Sequence, residues 1–187
     1  MVCQENELVA YPNIDTDVIH GDIKPQNVLV FKDAIGKTTV KMADFGYSTF
    51  AAGKEGMIFL PKSRPWDAPE HHFGEFSAPA AKKTDVYSFG LLCLWILFGD
   101  GLENIPQTTA DEANAFLSFS TPLDCLERLK HQDKMLYITN QLIESMSPRY
   151  ADHKIHLEEF FSLTLQLNPD NRTSDLGKLQ CLLGQEQ

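Results

Sequence analysis

Apolar and polar positions alternate along the chain in a way that separates a strand-bearing first third from a helical remainder. Asn27–Phe31 is apolar and β-branched, and Thr39–Met42 is a second such run. Lys32–Lys37 between them contains Asp33 and Gly36, so the two runs predict a hairpin. Ala51–Arg64 is mixed and irregular, a long loop. Thr84 is a helix N-cap with Asp85 in the first turn, and Val86–Phe98 is apolar on every side up to Gly99. That pattern predicts a central, buried helix.

Further helices follow. Thr109 and Glu112 have capping-box spacing for a helix through Leu117. Thr121-Pro122 starts another, with Leu123, Leu126 and Leu129 at helical spacing. Met135–Met146 reads as helical, Leu157–Leu167 as an amphipathic helix stopped by Asn168-Pro169, and Thr173 as the cap of a last helix through Leu183. Met1–Asp17 carries no clear pattern and reads as an irregular N-terminal segment.

The 187 residues suffice for one domain with a core. A formal net charge of -10 opposes non-specific nucleic-acid binding, which needs a basic surface. No apolar run is long enough to span a bilayer, and the first ten residues do not form a signal peptide. Cys3, Cys93, Cys125 and Cys181 form no C-x-x-C pair and read as reduced thiols of an intracellular, cytoplasmic protein.

The chemistry-bearing run is His20-Gly21-Asp22-Ile23-Lys24-Pro25-Gln26-Asn27. Asp44-Phe45-Gly46 stands behind the second strand, followed by Ala68-Pro69-Glu70, Asp85–Gly90 and Arg172. In order and spacing this set resembles the eukaryotic-type protein kinases. The resemblance implies a mainly α fold with a small β-hairpin, a protein-kinase-like C-lobe (α+β) over residues 18–187 with the N-lobe absent. The N-lobe reading rests on the lack of a glycine-rich loop and a strand lysine ahead of His20. On that reading the isolated chain is expected to be weakly active or inactive, with a surface left open to a partner.

The resemblance also implies the roles. Asp22 would accept the proton of a substrate hydroxyl, and Lys24 would sit against the γ-phosphate of ATP. Asn27 and Asp44 would hold Mg2+, and Leu29 would lie under the adenine. Ser63 would contact Asp22 and Lys24. His20 would pack on Phe45, Asp85 would hold the catalytic loop, and Glu70 would pair with Arg172. Lys24 implies serine/threonine specificity toward a protein substrate. Gly21, where many kinases have arginine, argues against activation through a phosphorylated segment. It also fits a second reading, a small-molecule phosphotransferase of the aminoglycoside type, which Lys24, Ala68-Pro69-Glu70 and Asp85–Gly90 oppose. A third reading is a non-catalytic, pseudokinase-like interaction fragment.

Three weaker signals carry less. Gly36-Lys37-Thr38 has the end of a P-loop, but Phe31 stands where its first glycine belongs. Asn171-Arg172-Thr173 is a glycosylation sequon without any sign of secretion. His71-His72 and His153/His156 form no closed ligand set.

Overall fold

A computed structural model describes residues 18–51, 55–102 and 122–184. Strands come first and pair two by two, all antiparallel. β1 (Val18–Ile19) pairs with β4 (Thr49–Phe50), β2 (Val28–Lys32) with β3 (Thr38–Met42), and β5 (Ile58–Phe59) with β6 (Glu75–Phe76). The predicted hairpin is β2–β3, in the register Leu29 to Lys41 and Val30 to Val40. Its turn is closed by Asp33, whose Oδ1 accepts from Ile35 N at 3.0 Å and Lys37 N at 2.8 Å. A single hairpin was too few strands. The two-residue strands are too short to leave an alternating pattern.

Helix α1 (Ala78–Leu102) runs through the centre of the main core, with Leu91 and Leu94 fully buried. It starts ahead of Thr84 and continues through Gly99, so neither residue bounds it. Thr84 lies inside the helix and turns its hydroxyl back onto Ala81 O at 2.7 Å. Pro79 in the first turn is tolerated because a backbone N–H there would have no helical partner.

Around α1 pack α2 (Pro122–His131), α3 (Met135–Glu144) and α4 (Ala151–Thr164), and α5 (Leu176–Leu183) packs on α4. Leu126, Leu129, Ile138, Ile143, Phe160, Phe161 and Leu179 join the α1 residues in one cluster. Each such side chain stabilises by about 1.5–3 kcal/mol on burial. A smaller cluster of Ile19, Ile58, Leu60, Phe76, Ala78 and Ala81 ties β1, β5 and β6 to the start of α1.

Helix α4 begins and ends earlier than its apolar pattern suggested. The cap of α5 is Asp175, whose Oδ1 accepts from Lys178 N at 2.9 Å, while the Thr173 hydroxyl accepts from Asp175 N at 3.0 Å. The helix predicted at 109–117, the start at Thr121 and the segment before Val18 lie outside the described residues. Among the described residues no helix is long and apolar enough to cross a membrane.

Candidate functional site

The loop leaving β1 is held by its backbone. The partly buried Asp85, on α1, accepts through its carboxylate from His20 N at 2.6 Å and Gly21 N at 2.9 Å. Burial pushes this carboxyl up to about 6, although the two N–H donors favour its charged form. Gly21 has φ +80°, and a Cβ there would stand 2.9 Å from Leu60 Cδ2. Glycine is therefore the residue this turn accepts. The His20 ring lies 5.0 Å from that of Phe45, with Nε2 3.1 Å from Ala43 O. Ser48 donates its hydroxyl to His20 O at 3.1 Å, so the segment after Asp44 is tied to the same loop.

Asp22 is buried, and its Oδ2 lies 2.7 Å from Lys24 Nζ. Asn27 Nδ2 donates to Asp22 O at 2.8 Å and to Oδ2 at 3.2 Å. Burial raises the Asp22 pKa, but the Lys24 ammonium, the Ser63 hydroxyl and the Asn27 amide together outweigh it and hold the carboxyl below its ordinary value. Oδ1 has no hydrogen-bond partner. Lys24 Nζ also donates to Ser63 Oγ at 3.1 Å.

Asn27 closes a 3-10 turn begun by Pro25 and opens β2. Its carbonyl accepts from Ala43 N at 2.8 Å, which brings the end of β3 and the following Asp44 to the loop. Asp44 is exposed and left-handed at φ 60°, with Oδ1 accepting from Gly46 N at 3.3 Å. Asn27 and Asp44 both offer oxygen donors, which suit a hard cation that keeps part of its water shell. Leu29 is partly exposed on β2.

Farther off, Glu70 and Arg172 meet fork to fork, Nη1–Oε1 at 2.5 Å and Nη2–Oε2 at 2.8 Å. The remaining Arg172 donors go to Gln166 O, Lys83 O and Leu167 O. Its guanidinium also lies 4.6 Å from the centre of the Tyr87 ring. The structure thus gathers His20, Asp22, Lys24, Asn27, Ser63 and Asp85 into one connected set, with Phe45 beside it, and keeps Glu70 and Arg172 as a separate pair.

His71 is buried with Nε2 3.2 Å from Leu60 O, while His156 Nδ1 lies against Asp152 O. Among the described residues no three His, Cys, Asp or Glu side chains gather to hold a metal.

One group escaped the sequence reading. Lys130 on α2 is 3% exposed and surrounded by oxygens of Pro65, Asp67 and Glu127. The signal was there: it falls seven residues after Leu123, on the apolar stripe of its own helix.

The family model described as "Protein kinase domain" matches residues 11–182, and the chain belongs to the protein kinase family. It is 29% identical over 166 residues to the probable serine/threonine-protein kinase gdt8 of Dictyostelium discoideum, covering 85% of this chain and 12% of that protein. It is 29% identical over 113 residues to the serine/threonine-protein kinase CHK1 of Saccharomyces cerevisiae, covering 58% and 20%. Against the dual specificity protein kinase shkD of Dictyostelium discoideum it is 40% identical over 81 residues, covering 43% and 10%. The chain thus spans a fifth or less of these relatives' length.

The match overturns the expectation of a C-lobe fold with the N-lobe absent. It begins at residue 11, inside the segment that the expectation set outside the domain. Short strands then precede the helices. The expectation inferred a missing lobe from missing motifs ahead of His20, and motifs report local phosphate contacts rather than fold.

Proposed function

We propose that this chain carries the transfer centre of a protein serine/threonine kinase, moving the γ-phosphoryl group of ATP to a protein hydroxyl. The observation that carries the reading is the Asp22–Lys24 pair, 2.7 Å apart, with Asn27 donating to the same carboxylate. Asp22 is held ionised at neutral pH and keeps one oxygen unpartnered, so it can take the proton of an acceptor hydroxyl. Lys24 orients that carboxylate and stands ready to meet the γ-phosphate. Asn27 and Asp44 would hold magnesium, which when bound neutralises phosphate charge. Leu29 would lie under the adenine. Ser63 fixes the Lys24 ammonium, while His20, Phe45 and Asp85 keep the loop in shape and Glu70 with Arg172 anchors the segment after Asp44.

Lys24 and the printed names of gdt8 and CHK1 support serine/threonine acceptors. The thiols Cys93, Cys125 and Cys181 are unpaired, which supports a reducing, cytoplasmic setting.

The test is phosphate transfer from radiolabelled Mg-ATP to a generic protein acceptor, followed by phosphoamino-acid analysis. Phosphoserine or phosphothreonine is expected, and Asp22→Asn should lower the rate about 10²–10⁴-fold. Label only on tyrosine would overturn the acceptor assignment. Label on aminoglycosides but not on protein would favour the small-molecule reading.

A further inference from the structure

A lysine whose side chain is almost entirely buried is costly unless its charge is met on several sides. Lys130 meets that condition through a segment far away in sequence. Its Nζ donates to Pro65 O, Asp67 O and Asp67 Oδ1, each at 2.9 Å, and lies 2.7 Å from Glu127 Oε2. Glu127 in turn reaches His131 Nε2 at 3.0 Å and Arg64 Nε at 3.5 Å. Two of the contacts are to backbone carbonyls, so the ammonium fixes the path of the chain as well as neutralising a carboxylate.

The clamped segment adjoins the reactive carboxylate. Trp66 N donates to Ser63 O at 2.8 Å, and Ser63 Oγ accepts from Lys24 Nζ, the partner of Asp22. Asp22, Ser63, Trp66 and Asp67 share the walls of one small cavity of about 10 Å³. Trp66 is locked from the other side by Trp95, edge to face at 5.9 Å. Ser63–Asp67 therefore borders the place where a hydroxyl would have to arrive at Asp22.

We propose that Lys130 is a positioning residue, which holds Pro65–Asp67 in register so that a protein acceptor meets Asp22. The proposal rests on the phosphotransfer reading above. Lys130 touches neither nucleotide nor acceptor; it acts through the segment. An ammonium suits this place because it is a compact charge with three donors and can serve carbonyls and carboxylates in different directions.

The experiment compares wild type, Lys130→Met and Asp67→Asn in the full chain. Amide hydrogen exchange is read at residues 63–68 and on α4, with steady-state kinetics on casein in parallel. In Lys130→Met, exchange at 63–68 should rise at least tenfold with α4 unchanged. The KM for casein should rise at least threefold while the KM for ATP stays put. Unchanged exchange at 63–68, or KM values that move together, overturns the proposal. Should Lys130→Met fail to fold, Asp67→Asn is read by the same criteria. If wild type transfers no phosphate, the phosphotransfer reading fails, and the exchange data still decide whether Lys130 pins the segment.

Discussion

His20 donates its backbone N–H to Asp85 Oδ2 at 2.6 Å, from a loop 65 residues earlier in the chain. The price of that anchor is a partly buried carboxylate. In the folded chain it titrates near 6, against an ordinary 3.8, with burial the main cause. Between those values the native state holds a proton that the unfolded chain has released. Stability therefore falls as pH rises from about 4 to about 6, by about 3 kcal/mol from this group. Asp22 acts in the opposite sense, in a different window. Its lowered pKa contributes stability above the ordinary value, which is lost as pH falls through the folded pKa. Carbon-13 NMR of the aspartate carboxyls, assigned with Asp85→Asn, should show an inflection near 6; one below 4 would sink the account.

Arg172 uses all five of its N–H donors, two on Glu70 and three on carbonyls. Glu70→Ala leaves a buried guanidinium without its counter-charge and should cost about 3–5 kcal/mol. Arg172→Lys cannot span the same fork and should recover little of that. Urea denaturation of the two variants checks both statements.

Gly21→Ala places a Cβ at positive φ and against Leu60. We expect a loss of about 1–3 kcal/mol, read by chemical denaturation. Leu60→Ala in the same chain should relieve the steric part and leave the backbone part.

Gly90 lets α1 and α4 approach closely. A Cβ there would stand 2.6 Å from Thr164 Oγ1 and 2.9 Å from Leu165 Cδ2. Gly90→Ala should destabilise by about 1–3 kcal/mol through overpacking. Thr164→Ala removes the nearest atom but leaves its own Cβ 2.8 Å away, so rescue in the double variant should be partial. Full rescue would show that the helices can part freely.

The legible parts of the molecule were those with a long pattern or a short-range constraint. The β2–β3 hairpin announced itself through β-branched runs around Asp33 and Gly36, and α1 through its apolar centre. The loop from His20 to Asn27 was readable as one connected set because Asp22, Lys24 and Asn27 meet within a few positions of one another. Helix starts were less so. Thr84 looks like a cap because threonine caps helices, yet Pro79 and the core demand at Ala81 extend α1 backwards. Thr173 lost the capping role to Asp175 for a similar local reason. The two-residue strands and the distant partners of Lys130 were illegible because both depend on segments brought together by folding. The missing-lobe inference failed because it took an absent motif for an absent structure.

The pairing of Glu70 with Arg172 spans 102 residues, and that has a bearing on how the protein is made. A ribosome adds about 5–20 residues per second, so Glu70 waits roughly 5–20 s for its partner to be synthesised. Until then the chain from Asp44 to Glu70 lacks its main ionic anchor. Glu70 thus gains this partner only when the chain has reached Arg172, and a nascent chain is the form in which a chaperone would find it unpaired.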